Sequence, residues 1–432
     1  MGQSFLAIVG FISCSWVMLP LVACQDEEVS PRQSSEPAAV EIKSSIRLPI
    51  PEEAPVVRVR LMHVVGNLEP VVFAKDGASL RIEDDHGTNF NCKGPVTIHR
   101  DQDGWLIRCD RKVPDHIHAS KSLNLSSADG IEMTDDSNET RRYGGIIQCL
   151  AVPDDQKIRW DVIEHLSIED YLPGVLAGEL YAHWGKQCQA AQAIAARSFV
   201  SMSCAERAGR RWDVVDTPAS QAYVGQVVDP LTHQAVSMTE GMILTWGKEL
   251  VPGYFSSCCG GRAATATEAI GPNPINSVKP LNGHGKGAYC QDAPLYEWER
   301  TVDGSELASA IREHVGKESA LSGIQDIRSI RIVENNQHGR GIRLSLKDSS
   351  GRTHEMTAAA LAQYSGSLSK GALYSGWVEG QTKSGSLHLS GRGYGHGAGL
   401  CQYGAAAMAD QGKSFWQIIE FYYPQAEIKK AW

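Results

Sequence analysis

Between Gly391 and Gly404 glycine takes almost every second position, in the run Gly391-Arg-Gly-Tyr-Gly-His396-Gly-Ala-Gly-Leu-Cys-Gln402-Tyr403-Gly. Residues without a Cβ let backbone amides come close to a ligand or to another stretch of chain. The run is therefore either a ligand cradle or a tight glycine-rich hairpin. His396 is its one group that titrates near neutral pH. The glycines alternate instead of following G-x-G-x-x-G, and no acidic partner stands about 20 residues further on at the end of a second strand, which excludes a dinucleotide fingerprint. The absence of a Gly-Lys-Ser/Thr ending excludes a Walker loop.

The rest of the composition narrows the class. A chain of 432 residues allows roughly two to three domains. With 42% hydrophobic and 21% charged residues, a polytopic membrane protein or a mainly disordered chain is excluded. Asp and Glu number 50 against 41 Lys and Arg, a formal charge of -9, so nucleic acid is not the expected partner.

Residues 5–23 form an apolar run that ends in Leu21-Val-Ala-Cys24 and gives way at once to Gln25-Asp-Glu-Glu28. This reads as export processing, with Ala23 before the cleavage point. The tetrad is similar to the bacterial lipobox, in which the cysteine is lipidated, so Cys24 is the expected lipidation site. No Lys or Arg precedes Cys24, and an uncleaved N-terminal anchor is the alternative. Both place the folded part outside the cytoplasm, in the periplasm or cell envelope.

Of 11 cysteines, Cys14 leaves with the signal and Cys24 carries lipid. Cys92, Cys109, Cys149, Cys188, Cys204, Cys258, Cys259, Cys290 and Cys401 remain, and in an oxidising compartment most are expected to pair. Spacing does not fix connectivity, although Cys92 with Cys109, Cys188 with Cys204, and Cys259 with Cys290 are near enough to be candidates. Zinc is the competing reading of the adjacent Cys258 and Cys259. No CxxC accompanies them, and the expectation is no cofactor.

Five segments follow one another. Residues 1–23 are a signal peptide of the lipoprotein type, and 24–41 are an acidic Ser/Pro tether too polar to fold alone. Residues 42–157 show short alternating apolar runs, such as 56–65, 71–73, 96–99 and 105–109, between Gly and Asp turns, and read as a β-rich region. This region is partly a domain of its own and partly the first strands of the next. Residues 158–432 form a mixed α+β domain, with a smaller inserted subdomain at about 301–376. The overall class is α+β. Within it, the strongest helical stretch runs from Asp170, a candidate cap, to Glu206. Pro173 falls early in it, and Ala191, Ile194, Ala195, Ser198, Phe199 and Met202 form one apolar face. A helix at 305–315, a hairpin over 327–346 and a helix at 405–422 are also predicted.

Chemistry concentrates in four segments. In the first, Tyr171-Leu-Pro-Gly-Val-Leu-Ala-Gly-Glu179-Leu, Glu179 is the only acid between Asp170 and Glu206 and sits among Leu176, Ala177, Leu180 and Trp184. Desolvation there raises a carboxyl pKa toward that of a general acid, whereas pairing with Arg197 or Lys186 would make it an ordinary surface ion pair. The second, Trp212 to Gly225, gathers Ser220, Gln221 and Tyr223, groups that suit a sugar's hydroxyls and ring face or an ordinary turn. The third, Tyr254-Phe-Ser-Ser-Cys-Cys-Gly-Gly-Arg, is a hairpin fixed by a disulfide or a metal site. The fourth is the glycine run.

In this order the four segments, with the closing Phe421-Tyr-Tyr-Pro-Gln-Ala-Glu-Ile, resemble the stage II sporulation protein D family, whose domain is shared with bacterial amidase enhancers. The resemblance runs from about Glu164 to Ile428. It implies a lytic transglycosylase, a carbon–oxygen lyase that cuts the MurNAc–GlcNAc bonds of peptidoglycan glycan strands with formation of 1,6-anhydroMurNAc. It places the catalytic carboxyl at Glu179 and the substrate-binding residues at Gln192, Arg197, Ser220, Gln221, Tyr223, His396, Gln402 and Tyr403.

The alternative it carries is a noncatalytic peptidoglycan-binding enhancer of an N-acetylmuramoyl-L-alanine amidase, which would be the partner protein. Gly178 replaces a family Ser, and Gln187-Cys-Gln-Ala190 replaces Glu-Ala-Leu-Lys. Some members bind zinc through His and Cys around the third segment. The His position is Ser256 here, so Cys259 is expected to pair, with Cys290 as candidate, while Cys258, Cys259, His284 and Cys290 form the metal alternative.

Overall fold

The computed structural model describes residues 48–432 apart from 63, 65–70, 75, 110–114, 119, 135–138, 153–158, 285, 286 and 288. The expectations for the signal peptide, the tether, Cys14 and the lipidated Cys24 lie outside the described residues. The described chain divides into two units: a smaller one of 297–335 and 341–392, and a larger one holding the remainder.

In the larger unit, the alternation of buried Val57 and Val59 with more exposed neighbours makes Val56–Arg60 a strand. It pairs antiparallel with Arg159–Ser167 and parallel with Val214–Val215. A seven-stranded sheet continues from there through Ile146–Val152, Ser122–Ser126, Ser79–Asp84 and Asn89–Lys93. A six-stranded sheet of Thr140–Tyr143, Ile131–Thr134, Val71–Phe73, Val96–Arg100, Gly104–Arg108 and Asp115–His118 shares its core. The sheets meet where Trp105 and Trp160 stack edge to face at 5.4 Å. The mixed α+β class and the β-rich N-terminal region are thus present.

The long helix expected from Asp170 to Glu206 is two helices, α1 (Ile168–Glu179) and α2 (Lys186–Glu206). Ser167, not Asp170, caps α1, and the chain turns extended at Leu180. Pro173 is the sixth residue of α1. It lies beyond the first turn, so its ring does displace an intrahelical bond. The helix tolerates this because Tyr171, Leu172, Val175 and Leu176 are buried. α2 lies at the centre of the unit, touching α1, α3 (Pro230–Met238), the strand Met242–Trp246 and the two C-terminal helices. Its alanines allow those close approaches. The single C-terminal helix expected over 405–422 is also two, Gln402–Asp410 and Phe415–Tyr422. Gly412 at φ +80° breaks it, and Ser414 caps the second through the Gln417 N–H.

Phe255–Ser256 pairs parallel with Leu400–Cys401, which lays the third segment beside the glycine run. Across that run Gly393, Gly395, Gly397 and Gly399 all have positive φ. A Cβ at Gly399 would lie 1.9 Å from the Tyr254 carbonyl oxygen, so only glycine fits there.

The smaller unit is a six-stranded antiparallel sheet in the order Glu297–Val302, Ser386–Arg392, Val378–Lys383, Ile327–Asn335, Gly341–Asp348 and Thr353–Thr357. Helices Gly304–His314 and Ala358–Tyr364 complete it. Among the described residues no helix is long and apolar enough to cross a membrane.

Cys109, Cys149, Cys188, Cys204, Cys258, Cys259, Cys290 and Cys401 are free thiols. Cys188 and Cys204 sit on one helix sixteen residues apart (204 − 188). That is about 24 Å at ~1.5 Å per residue, too far to bridge. Cys92 belongs to the seven-stranded sheet, whereas Cys109 follows the six-stranded strand Gly104–Arg108. Cys259 and Cys290 do lie together, with their sulfurs 3.6 Å apart.

Candidate active site

The end of α1 receives the loop 216–225 along a face kept open by two glycines four residues apart. A Cβ at Gly174 would lie 2.3 Å from the Gly225 carbonyl oxygen, and one at Gly178 would lie 2.5 Å from that of Ala222. Position 178, where the resemblance expects Ser, therefore has no room for a Cβ against the loop. The approach delivers the Ala222 N–H to Glu179 Oε1 at 2.7 Å. From the other side Gln402, at the start of its helix, donates from Nε2 to Oε2 at 3.1 Å. Glu179 is half-buried. Burial raises its pKa, and the Ala222 and Gln402 hydrogen bonds oppose the rise. Neither Arg197 nor Lys186 pairs with it, so the surface ion-pair alternative falls away.

Three rings come from positions close in sequence to Glu179 and Gln402: Tyr181 and Trp184 after the first, Tyr403 after the second. Tyr181 is 53% exposed. Its hydroxyl lies 3.3 Å from that of Tyr403, and Trp184 packs edge-on against both rings, at 5.1 and 5.0 Å. Rings partly open to solvent offer a face to a pyranose. Sequence reasoning missed Tyr181, although its place two residues after Glu179 was the available signal. It also missed Ala222, which acts through its backbone.

The other expected substrate residues do different work. Arg197 is wholly buried and forms a two-pronged ion pair with Glu169, Nε–Oε1 3.0 Å and Nη2–Oε2 2.7 Å. It also donates to the Met242 carbonyl. It clamps α1 and α2 to the strand behind them and cannot reach a substrate. Gln221 is equally buried, accepting from the Tyr171 hydroxyl and donating to the Ala196 carbonyl. Tyr223 is buried with its hydroxyl on Glu164 Oε2 at 2.8 Å. Both hold the loop rather than a ligand. Gln192 is buried, and its amide has no hydrogen-bond partner among the described residues. Ser220 Oγ accepts from the Val215 N–H within its own turn.

His396 keeps some exposure, but its Nδ1 accepts from the Ala398 N–H. Burial pushes its pKa down to about 4, so at neutral pH it is an uncharged part of the loop. His284 is buried in a stack on Phe421 at 5.0 Å. The Lys position of the family motif is Ala190, fully buried like Cys188, and Gln189 is 1% exposed. Gln187 accepts the first N–H of the helix Phe415–Tyr422. These departures sit in packing positions.

The fold and site thus describe an α+β domain built around one desolvated glutamate at a helix end, with aromatic rings close to it in sequence. Residues 156–246 match the stage II sporulation protein family. Residues 271–399 match a domain of unknown function. The chain is 27% identical to an uncharacterized protein of Brachyspira hyodysenteriae, over 62% of this chain and 68% of that one. It is 26% identical to stage II sporulation protein D of Bacillus subtilis, over 62% of this chain and 76% of that one. It is 27% identical to the amidase enhancer of Bacillus subtilis, over 59% of this chain but only 39% of that protein.

Proposed function

We propose that this protein is a peptidoglycan lytic transglycosylase that cleaves MurNAc–GlcNAc bonds with Glu179 as its one acid and base. The observation that carries the reading is the Glu179 carboxyl, desolvated and oriented by two donors, with the Tyr181 and Tyr403 rings following Glu179 and its donor Gln402 in sequence. The relatives named for sporulation and for amidase enhancement support a role at the cell wall.

Ordinary glycosidases need two carboxyls. A lytic transglycosylase needs one, because the sugar's own 6-hydroxyl replaces water. Protonated Glu179 gives its proton to the glycosidic oxygen as the bond to C1 of MurNAc breaks. The resulting carboxylate takes the proton of the 6-hydroxyl as that oxygen closes onto C1, giving the 1,6-anhydro end and restoring the acid. The Ala222 and Gln402 donors hold the carboxylate through the step. Among the described residues, only burial and these two hydrogen bonds bear on the acidity of Glu179, and no second carboxylate does.

Purified protein incubated with glycan strands, both peptide-bearing and denuded, should release anhydromuramyl ends detectable by mass spectrometry. Glu179→Gln should lower the rate at least ~10²-fold, the usual worth of a general acid. If wild type and variant are equally silent on both substrates, the enzyme reading fails. Stimulation of an amidase by both forms would then assign the enhancer role. The same reading holds the protein outside the cytoplasm through lipid on Cys24, which palmitate labelling that survives Cys24→Ser would overturn.

A further inference from the structure

Three thiols of the larger unit converge on one point, and a fourth stands beside them. The sulfurs of Cys258, Cys290 and Cys401 all lie within 4.8 Å of one another, and Cys259 Sγ is 3.6 Å from Cys290 Sγ. All four residues are at most 2% exposed. They come from three separate stretches: the turn after Phe255–Ser256, the segment before Glu297–Val302, and the strand Leu400–Cys401. The parallel pairing of Phe255–Ser256 with Leu400–Cys401 brings the first and third together.

We propose that Cys258, Cys259, Cys290 and Cys401 form a closed four-thiolate site for a zinc-type divalent ion. Spacing is the first support. A disulfide requires sulfurs about 2.0 Å apart, whereas sulfurs at ~2.3 Å from a tetrahedral zinc stand about 3.8 Å from one another. The 3.6 Å between Cys259 and Cys290 matches the second figure.

A disulfide there would also leave Cys258 and Cys401 as two further thiols buried against it. The backbone is the second support. The Cys259 N–H points at Cys401 Sγ at 3.3 Å, and the Gly260 N–H at Cys258 Sγ at 3.4 Å. Such donors stabilise sulfur that carries negative charge. The third support is Arg340, only 4% exposed, which donates to the Cys259 and Arg262 carbonyl oxygens at 2.7 and 3.2 Å. Four thiolates around a divalent cation leave a net negative charge, and a buried guanidinium beside them offsets it. An all-sulfur tetrahedral set selects zinc over harder ions.

This ligand set is not the His and Cys set of some relatives. Ser256 occupies the His position and accepts the Gly397 N–H, while His284 is stacked on Phe421. With all four positions taken by protein, the ion has no open site for chemistry. Its effect is to fix the backbone at Cys401, the residue before Gln402, from which the side chain reaches Glu179.

The test uses the full chain purified without chelator or reductant. Elemental analysis should find one zinc per chain. Exchange for cobalt should give the strong sulfur-to-cobalt charge-transfer absorption of a four-thiolate site. Cys290→Ser and Cys401→Ser should each lower bound zinc at least tenfold, and Cys109→Ser should leave it unchanged. Should the serine variants not fold, the wild-type cobalt spectrum decides alone. A zinc-free protein whose peptide map shows Cys259 linked to Cys290 overturns the site, as does bound cobalt without sulfur charge transfer.

Discussion

Gln402 shows how one amide bears on the acidity of the proposed general acid. Its N–H stabilises the ionised form of Glu179, so it holds the pKa below the level that burial alone would impose. A general acid works while protonated, so cleavage falls as pH rises through the Glu179 pKa. Gln402→Ala removes a donor to the carboxylate and raises that pKa further. The alkaline limb of the pH–rate profile should therefore move to higher pH, measured as initial anhydromuramyl release across a pH series; a limb that moves down or stays put contradicts the assignment.

The sequence singles out Glu179 as a lone acid among Leu176, Ala177 and Leu180, but its pattern leaves a surface ion pair with Arg197 or Lys186 equally open. It is the family resemblance that implies a catalytic carboxyl there. Arg197 was not legible, since an arginine that grips a substrate and one that clamps two helices look the same until Glu169 is seen across from it. Ala222 left no signal at all: a backbone N–H belongs to every residue but proline.

At the level of elements, the hydrophobic pattern found the helices but not their breaks. The apolar face of α1 and α2 runs on past Leu180, and only tertiary packing of the Tyr181 to Trp184 rings decides that the chain turns there. The same packing explains Glu164, on the strand Arg159–Ser167, which no sequence motif marked. Its carboxyl is fully buried. It accepts the Gly145 N–H at 2.9 Å and the Tyr223 hydroxyl at 2.8 Å, tying the seven-stranded sheet to the loop that carries Ala222.

Burial lifts the Glu164 pKa to about 7 from an ordinary 4.5. The folded state therefore binds a proton that the unfolded state releases, and stability drops as pH rises from the unfolded value through the folded one. Between about pH 5 and about pH 8 this group should remove about 2 kcal/mol, from ~1.36 kcal/mol per pKa unit. Glu164→Gln should abolish that share, so the loss of unfolding free energy between the two pH values, measured by urea unfolding, should be smaller in the variant by that amount. Parallel pH dependences would show that Glu164 does not carry the proton.

Across the whole molecule, the site depends on strands far from it in sequence. Arg159–Ser167, which runs straight into α1, is flanked by Val56–Arg60 on one side and Ile146–Val152 on the other. Trp160 and Val162 on it are 2% and 0% exposed. One hydrophobic core extends from Leu48 through α1 and α2 to Tyr423. The alternating runs before residue 158 announced strands, but pairing partners a hundred residues apart leave no local trace, so the sharing of a sheet with the helical part was not readable from periodicity.

A chain beginning at residue 158 keeps the strand that launches α1 and loses both of its neighbours. Its apolar side chains then face water, and the platform under Glu179 has nothing to rest on. Such a truncation should lose the cooperative thermal transition of the larger unit, and the amides of α1 and α2 should lose their protection in hydrogen exchange. Retention of the full chain's transition midpoint, with α1 and α2 still protected, would show instead that the N-terminal strands are an appendage and that the helical part folds alone.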